Sequence, residues 1–315
     1  MLILFVTVGY PPAQTGGAEA QARLQALELV KRGHQVLILT KSESFTLKRE
    51  FLEGIKVIRL PQLKIRIIGT IFHSFNLAIS LIFLRKKFDL IHVHLANLNA
   101  DVSVLIGKII HKPVYIKLAS GGESGEIKRF RKLSTLTRFF GLRHASRVQA
   151  ISNEIFDEAM RIGVSSSRLI KISNGVKFEK IVDIAGEKKK NRSELRSSLF
   201  LSDCAFIFLY LGRIATYKGI ADLLEAWRLS NFSSDVALVI AGPLALDHPY
   251  NIHTIDTRIH VLGNQTNTRK FLFGSDCFIL PSHGEGMSNA LLEAMASKLP
   301  IISTNVGASA EVLNF

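Results

Sequence analysis

Short apolar runs alternate with longer amphipathic stretches from one end of the chain to the other. This alternation restricts the possible folds more than any other feature. Runs at residues 2–8, 35–40, 55–60, 89–94, 114–118, 147–151, 205–211, 236–241, 277–280 and 300–303 have the length of buried strands. Segments with helical spacing, 18–33, 99–111, 152–162, 218–229 and 287–297, stand between them. Strand, helix and strand in succession is the pattern of a parallel sheet covered on both faces. A chain of 315 residues exceeds what one hydrophobic core organises, so two α/β domains are expected. The polar stretch 184–198, IAGEKKKNRSELRSS, breaks the alternation and is expected as a linker between domains 1–183 and 199–315. The second domain then has about 115 residues, at the short end of domain sizes. Its last strand, PIIST, is followed only by NVGASAEVLNF, so it is expected to be incomplete at its carboxyl end.

Residues 67–84, IIGTIFHSFNLAISLIFL, approach the length of a membrane span. His73, Ser74, Asn76 and Ser80 interrupt them, and the strand order needs a crossover helix there. A buried or membrane-touching helix is the expectation. The opening MLILFVTVGYPP lacks a basic lead and reads as a first core strand rather than a signal peptide. The two cysteines, Cys204 and Cys277, lie in apolar runs without metal or redox spacing, and are expected as buried thiols of a reducing, cytoplasmic compartment.

Charge is unevenly spread. Residues 1–190 hold 31 Lys and Arg against 15 Asp and Glu; residues 191–315 hold 9 against 11. The first half therefore favours an anionic partner. Within it, 127–147 carries seven Lys and Arg and no acid, interleaved with Phe130, Leu133, Leu136, Phe139 and Phe140. Such a basic amphipathic stretch suits an anionic bilayer surface, against the plainer reading of a crossover helix with a solvated face. No nucleic-acid-binding module is present, so nucleic acid is not an expected partner.

Three motifs carry chemistry. Gly16 and Gly17 follow the first strand and open a helix, where backbone can approach an anion or a sugar hydroxyl. In GRIATYKG a strand ends at Gly212, and Arg213 and Lys218 follow before the next helix. Two cations at the carboxyl end of a strand can neutralise a diphosphate without a metal. In EGMSNALLEAMA, Glu285 stands at the mouth of a helix expected to begin near Met287. Glu293 is placed two turns inside it, suited to gripping ribose hydroxyls. Backbone N–H groups of Gly286, Met287 and Ser288, with Asn289 beside them, can face a phosphate at the positive helix end.

Together GGAE at 16–19, NGV at 174–176, GRIATYKG at 212–219 and EGMSNALLEAMA at 285–296 resemble the retaining glycosyltransferases of family four, of GT-B fold. The resemblance runs over nearly the whole chain. It implies two Rossmann-like domains, with parallel sheets facing across a cleft, and no metal requirement. It implies a nucleotide-diphosphate sugar as donor, UDP- or GDP-linked. Arg213 and Lys218 are then expected on the donor diphosphate, Glu285 on the sugar and Glu293 on the ribose, with Gly16 and Gly17 across the cleft. The implied reaction is front-face substitution with retention, helped by charge stabilisation of the leaving diphosphate. Many members carry a histidine after the fifth strand; here YIKLASGGESGE places Ala119 or Ser120 there, with Glu123 in the following glycine-rich loop. Met287-Ser288-Asn289 also departs from the more usual Phe-Gly-Leu.

The expected function is transfer of a sugar to a lipid-linked or saccharide acceptor in cell-surface polysaccharide or glycolipid assembly, at the inner face of the membrane. A GT-B nucleotide-sugar epimerase and a non-catalytic scaffold are the rival readings. Turnover of a nucleotide sugar only when membrane lipid is added separates them.

Overall fold

In the computed structural model the described residues are 1–12, 16–63, 65–122, 125–130, 139–177, 184–245 and 256–313. The chain divides into two units, Met1–Asn174 and Gly175–Phe315.

The first unit runs β1 (Leu2–Val6), α1 (Gly17–Lys31), β2 (Gln35–Lys41), β3 (Lys48–Leu52), β4 (Ile55–Leu60), α2 (Arg66–Leu84) and β5 (Leu90–His94). It continues with α3 (Leu98–Ile109), β6 (Val114–Lys117), α4 (Glu126–Phe130), α5 (Phe140–His144), β7 (Arg147–Ala150), α6 (Asn153–Arg161) and β8 (Leu169–Lys171). Its sheet has the order β3-β4-β2-β1-β5-β6-β7-β8, with every pair parallel except β3 against β4. Both faces are covered, which is why LILFV and VLILT read as unbroken apolar runs. One face packs Phe5, Ile38 and Val57 against Ala22 and Ala26 of α1. On the other, α3 lies so close that a Cβ on Gly107 would press on Val114.

The second unit runs α7 (Ile184–Ser198), β9 (Phe206–Leu211), α8 (Ile220–Leu229), β10 (Val236–Ala241), β11 (Ile259–Gly263), α9 (Arg269–Gly274), β12 (Cys277–Leu280), α10 (Asn289–Ala296), β13 (Ile301–Ser303) and α11 (Ser309–Leu313). Its sheet, β11-β10-β9-β12-β13, is wholly parallel. Leu209, Val239, Phe278 and Leu291 form its core on one face. Tyr210, Leu223, Trp227 and Leu238 form it on the other.

The polar stretch 184–198 is helix from end to end. It packs on α9 and buries Leu195 and Arg196 alone. Its polarity reflects a helix with one narrow buried face. Three strands escape the apolar pattern. KREFL (β3) is an exposed edge, LIK (β8) has three residues, and IHVLG (β11) is a half-buried edge. The expectation of two buried thiols holds for Cys277 only. Cys204 is exposed in a turn beside Ser202, because it precedes β9 rather than lying within it. Among the described residues no helix is long and apolar enough to cross a membrane.

Candidate active site

In the second unit the strand order reverses direction at β9, with β10 on one side and β12 on the other. Ligands of open parallel sheets bind outside the strands' carboxyl ends at such a point. The loops after β9 and β12 meet there. After Gly212, Arg213 is exposed, and its carbonyl accepts a 2.7 Å hydrogen bond from the Tyr210 hydroxyl. Among the described residues its guanidinium has no hydrogen-bond or ion-pair partner. A single 3₁₀ turn, Thr216–Lys218, then leads through Gly219 into α8. Gly219 has φ +67°, and a Cβ there would collide with the carbonyl of Pro281, so only glycine lets the two loops touch.

The contact sets the chemistry. Lys218 is ion-paired with Glu285, with side-chain exposures of 15% and 9%. Ser282 donates a 2.8 Å hydrogen bond to the same carboxylate oxygen. Across the same seam the His283 N–H donates to the Tyr217 carbonyl at 2.9 Å. The Lys218 ammonium also lies 5.3 Å from the Tyr217 ring centre. From the far side, Ala308 donates to the Gly286 carbonyl at 2.9 Å, and Thr304 donates to the Ser282 carbonyl at 2.6 Å. The loop that carries Glu285 is thus held by the segments after both β9 and β13.

The helix after this loop begins later than its sequence suggests. Ser288 is extended and caps α10 by accepting from the Leu291 N–H, so the first helical residue is Asn289 rather than Met287. Glu293 is therefore the fifth residue of α10, about one turn inside, not two. Burial pushes its carboxyl above the usual carboxylate range, opposed by a 3.5 Å contact from the Thr268 hydroxyl.

Gly16 and Gly17 lie in the first unit, at the head of α1. The Gly16 N–H donates to the Glu19 carboxylate at 2.9 Å. The acid of GGAE thus closes back on its own helix start.

The sequence reading missed a group at the carboxyl edge of the first sheet. Glu126 is buried, and its carboxylate accepts from the N–H groups of Ala96 (2.6 Å), Ala119 (2.7 Å) and Ser120 (3.0 Å). It ties the loop after β5 to the loop after β6. Glu123 lies outside the described residues. Burial raises the Glu126 carboxyl to about 7, against the pull of those donors. In the same sheet Thr40, Thr7, His94, Lys117 and Gln149 form one polar row from β2 to β7, each 3% exposed or less. Thr40, Thr7, His94 and Lys117 each have a side-chain polar atom without a hydrogen-bond partner among the described residues. Burial lowers Lys117 to about 8 and holds His94 well below the ordinary imidazole value. The signal was present in LIHVH and YIK, where polar residues sit in otherwise buried strands.

The Glu126 carboxyl is raised in the folded chain, so it binds more protons folded than unfolded. Its contribution to stability is full below about 4.5 and is lost as pH rises through about 7. Unfolding measured across this range is expected to show wild type losing roughly 3 kcal/mol relative to Glu126→Gln as pH rises. A constant difference would mean that Glu126 stays ionised throughout.

Solved structures share this architecture. Anabaena HepE in complex with UDP superimposes with a TM-score of 0.74 at 18% identity, over 100% of this chain and 84% of that one. WaaG, a glycosyltransferase involved in lipopolysaccharide biosynthesis, gives 0.73 at 16%, over 99% and 83%. The fold is therefore GT-B, with two Rossmann-like units. The chain matches the family described as Glycosyltransferase Family 4 over residues 15–180, and that described as Glycosyl transferases group 1 over 205–314. It belongs to glycosyltransferase family 4.

Among curated relatives, the N-acetyl-alpha-D-glucosaminyl L-malate synthase of Bacillus anthracis is 24% identical over 96% of this chain. The UDP-Gal:alpha-D-GlcNAc-diphosphoundecaprenol alpha-1,3-galactosyltransferase of Escherichia coli is 26% identical over 70%. The capsular polysaccharide biosynthesis glycosyltransferase CapM of Staphylococcus aureus is 25% identical over 68%. The aligned segment spans 79%, 59% and 58% of these three proteins respectively.

Proposed function

We propose that the protein transfers a sugar, with retention, from a nucleotide-diphosphate donor to a lipid-linked or saccharide acceptor in cell-surface polysaccharide or glycolipid assembly. The observation that carries this reading is the half-buried Lys218–Glu285 pair at the strand-end crevice, with Arg213 exposed beside it. In this reading the second unit, which includes helix 184–198, holds the donor and the first unit the acceptor side. UDP is the favoured nucleotide, in keeping with the UDP found with HepE and named for the Escherichia coli relative.

The chemistry follows from charge. Breaking the bond between the sugar C1 and the β-phosphate oxygen leaves the electron pair on the diphosphate. Lys218 and Arg213 stabilise that charge, Lys218 doing so in a site largely closed to water. Glu285 holds Lys218 in place before the donor arrives and offers its carboxylate to sugar hydroxyls. Gly286, Met287, Ser288 and Asn289 bring backbone to the phosphates, and Glu293 meets the ribose. The acceptor oxygen bonds to C1 on the face the diphosphate leaves, and its proton passes to the departing phosphate oxygen. No metal is required in this scheme.

We place the protein peripherally on the inner face of the membrane. The excess of 16 positive charges over residues 1–190 supports that placement.

The donor assignment is tested by thermal unfolding with UDP-, GDP- and ADP-sugars, beside Lys218→Ala. A rise in Tm with one nucleotide class, absent in the variant, is the expected result. A folded protein that responds to none of them would overturn the donor reading.

A further inference from the structure

Helix α2 is apolar on two sides, and among the described residues only one is covered by protein. Its inner side buries His73, Leu77 and Leu81. Its outer side carries Ile68, Ile71, Phe75 and Ile82, one helical stripe exposed by 56%, 62%, 63% and 38%, with Phe83 beside it. The solvent side of a helix in a globular protein is normally polar. The apolar surface continues off the helix. Phe45 stacks on Phe72 of α2 with ring centres 5.4 Å apart, and Leu47 is exposed next in the chain. Phe51 on the edge strand β3 is exposed as well, paired with Lys56. An exposed apolar stripe of this length, extended by the Phe45–Phe72 stack, marks an interaction surface.

Its rim says what the partner is. Lys48 and Arg49 on β3, and Arg85, Lys86 and Lys87 directly after α2, are all exposed. Of the nearby acids, Glu50 and Glu53 are already paired with Arg59 and Arg23. Glu43 and Asp89 remain on the exposed surface.

We propose that this face of α2 and β3 is where the protein lies on an anionic lipid bilayer. The stripe would enter the boundary between headgroups and acyl chains, and the basic rim would meet the headgroups. This assignment rests on the peripheral membrane placement above and locates it on α2 rather than on residues 127–147. Of that stretch, residues 131–138 lie outside the described residues. A second copy of the chain is the poorer occupant, because docking this face on itself would oppose two basic rims in a protein of net charge +14.

Vesicle flotation tests this with the full chain. The probes are vesicles of phosphatidylcholine alone and vesicles of phosphatidylcholine with phosphatidylglycerol. The variants are Ile71→Glu with Phe75→Glu, and Arg85→Ala with Lys86→Ala and Lys87→Ala. All five positions are exposed, so melting temperature should hold in both. Wild type should float with the anionic vesicles only, and each variant should bind them at least about tenfold more weakly. If wild type binds and both variants bind equally well, the surface lies elsewhere and this proposal fails. If wild type binds neither vesicle, the membrane placement itself fails. A wild-type dimer that the Glu variant dissociates, with vesicle binding unchanged, would assign the face to self-association and overturn the proposal.

Discussion

Replacing Lys218 by alanine is expected to lower kcat/KM by about two to three orders of magnitude. Two losses combine. The leaving diphosphate forfeits a cation held in a site where charge interactions are weakly screened. Glu285, only 9% exposed and also bound by Ser282, keeps its place without its counter-ion and faces the incoming phosphates with like charge. The loss should fall on KM, because Lys218 already meets the diphosphate of the bound donor, and on kcat, because that charge grows as the bond breaks. Lys218→Arg is expected to restore little. A planar fork needs more width than a single ammonium, and the Gly219–Pro281 contact fixes the space between the two loops. Steady-state kinetics on the folded variant decide the matter. A rate within a few-fold of wild type would remove Lys218 from the chemistry.

The second large effect is on stability. Arg196 is 0% exposed, and its guanidinium is fully occupied. It donates to the Ala205 carbonyl at 3.0 and 2.6 Å, to the Gly274 carbonyl at 2.8 Å and to Asp276 at 2.6 Å. Asp276 also pairs with Arg192 and accepts from the Ile207 N–H at 2.8 Å, so two ion pairs on one carboxylate join α7, the end of α9 and the start of β9. Arg196→Ala strands two buried carbonyls and takes one of two arginines from Asp276, which keeps its ion pair with Arg192, at a cost of about 2–4 kcal/mol. For a unit of this size that lowers the melting temperature by roughly 10 °C. Arg196→Lys should recover only part of it, since one ammonium cannot reach all three acceptors. A change below about 1 kcal/mol in calorimetry would show that α7 is dispensable to the second unit.

Much was legible in the chain. Parallel strands buried on both faces must be apolar along their whole length, and helices between them must show one apolar stripe. Periodicity therefore located ten strands and helices α1, α2, α3, α6, α8 and α10, but neither α7 nor α9. The local motifs were legible for the same kind of reason. Gly219 must be glycine where φ is positive and a neighbouring carbonyl is close, and GRIATYKG and EGMSNALLEAMA name the residues that meet.

Other features exist only once the sheets close. Lys218 and Glu285 are 67 residues apart, and nothing in either motif states that they form a pair. Glu126 reads as an ordinary helix-start acid until the ends of β5 and β6 stand side by side and turn three N–H groups toward it. Thr40, His94 and Lys117 come from three strands and Thr7 from the end of a fourth, and their row is a product of register. Helix α7 looks like a polar linker because its buried face is only Leu195 and Arg196, where other helices bury an apolar stripe. The sequence by itself determined the class of fold and the strand ends that bear chemistry, because burial and backbone conformation act residue by residue. The tertiary structure alone decided which charges meet and which go without a partner, because that depends on neighbours in space that are far apart along the chain.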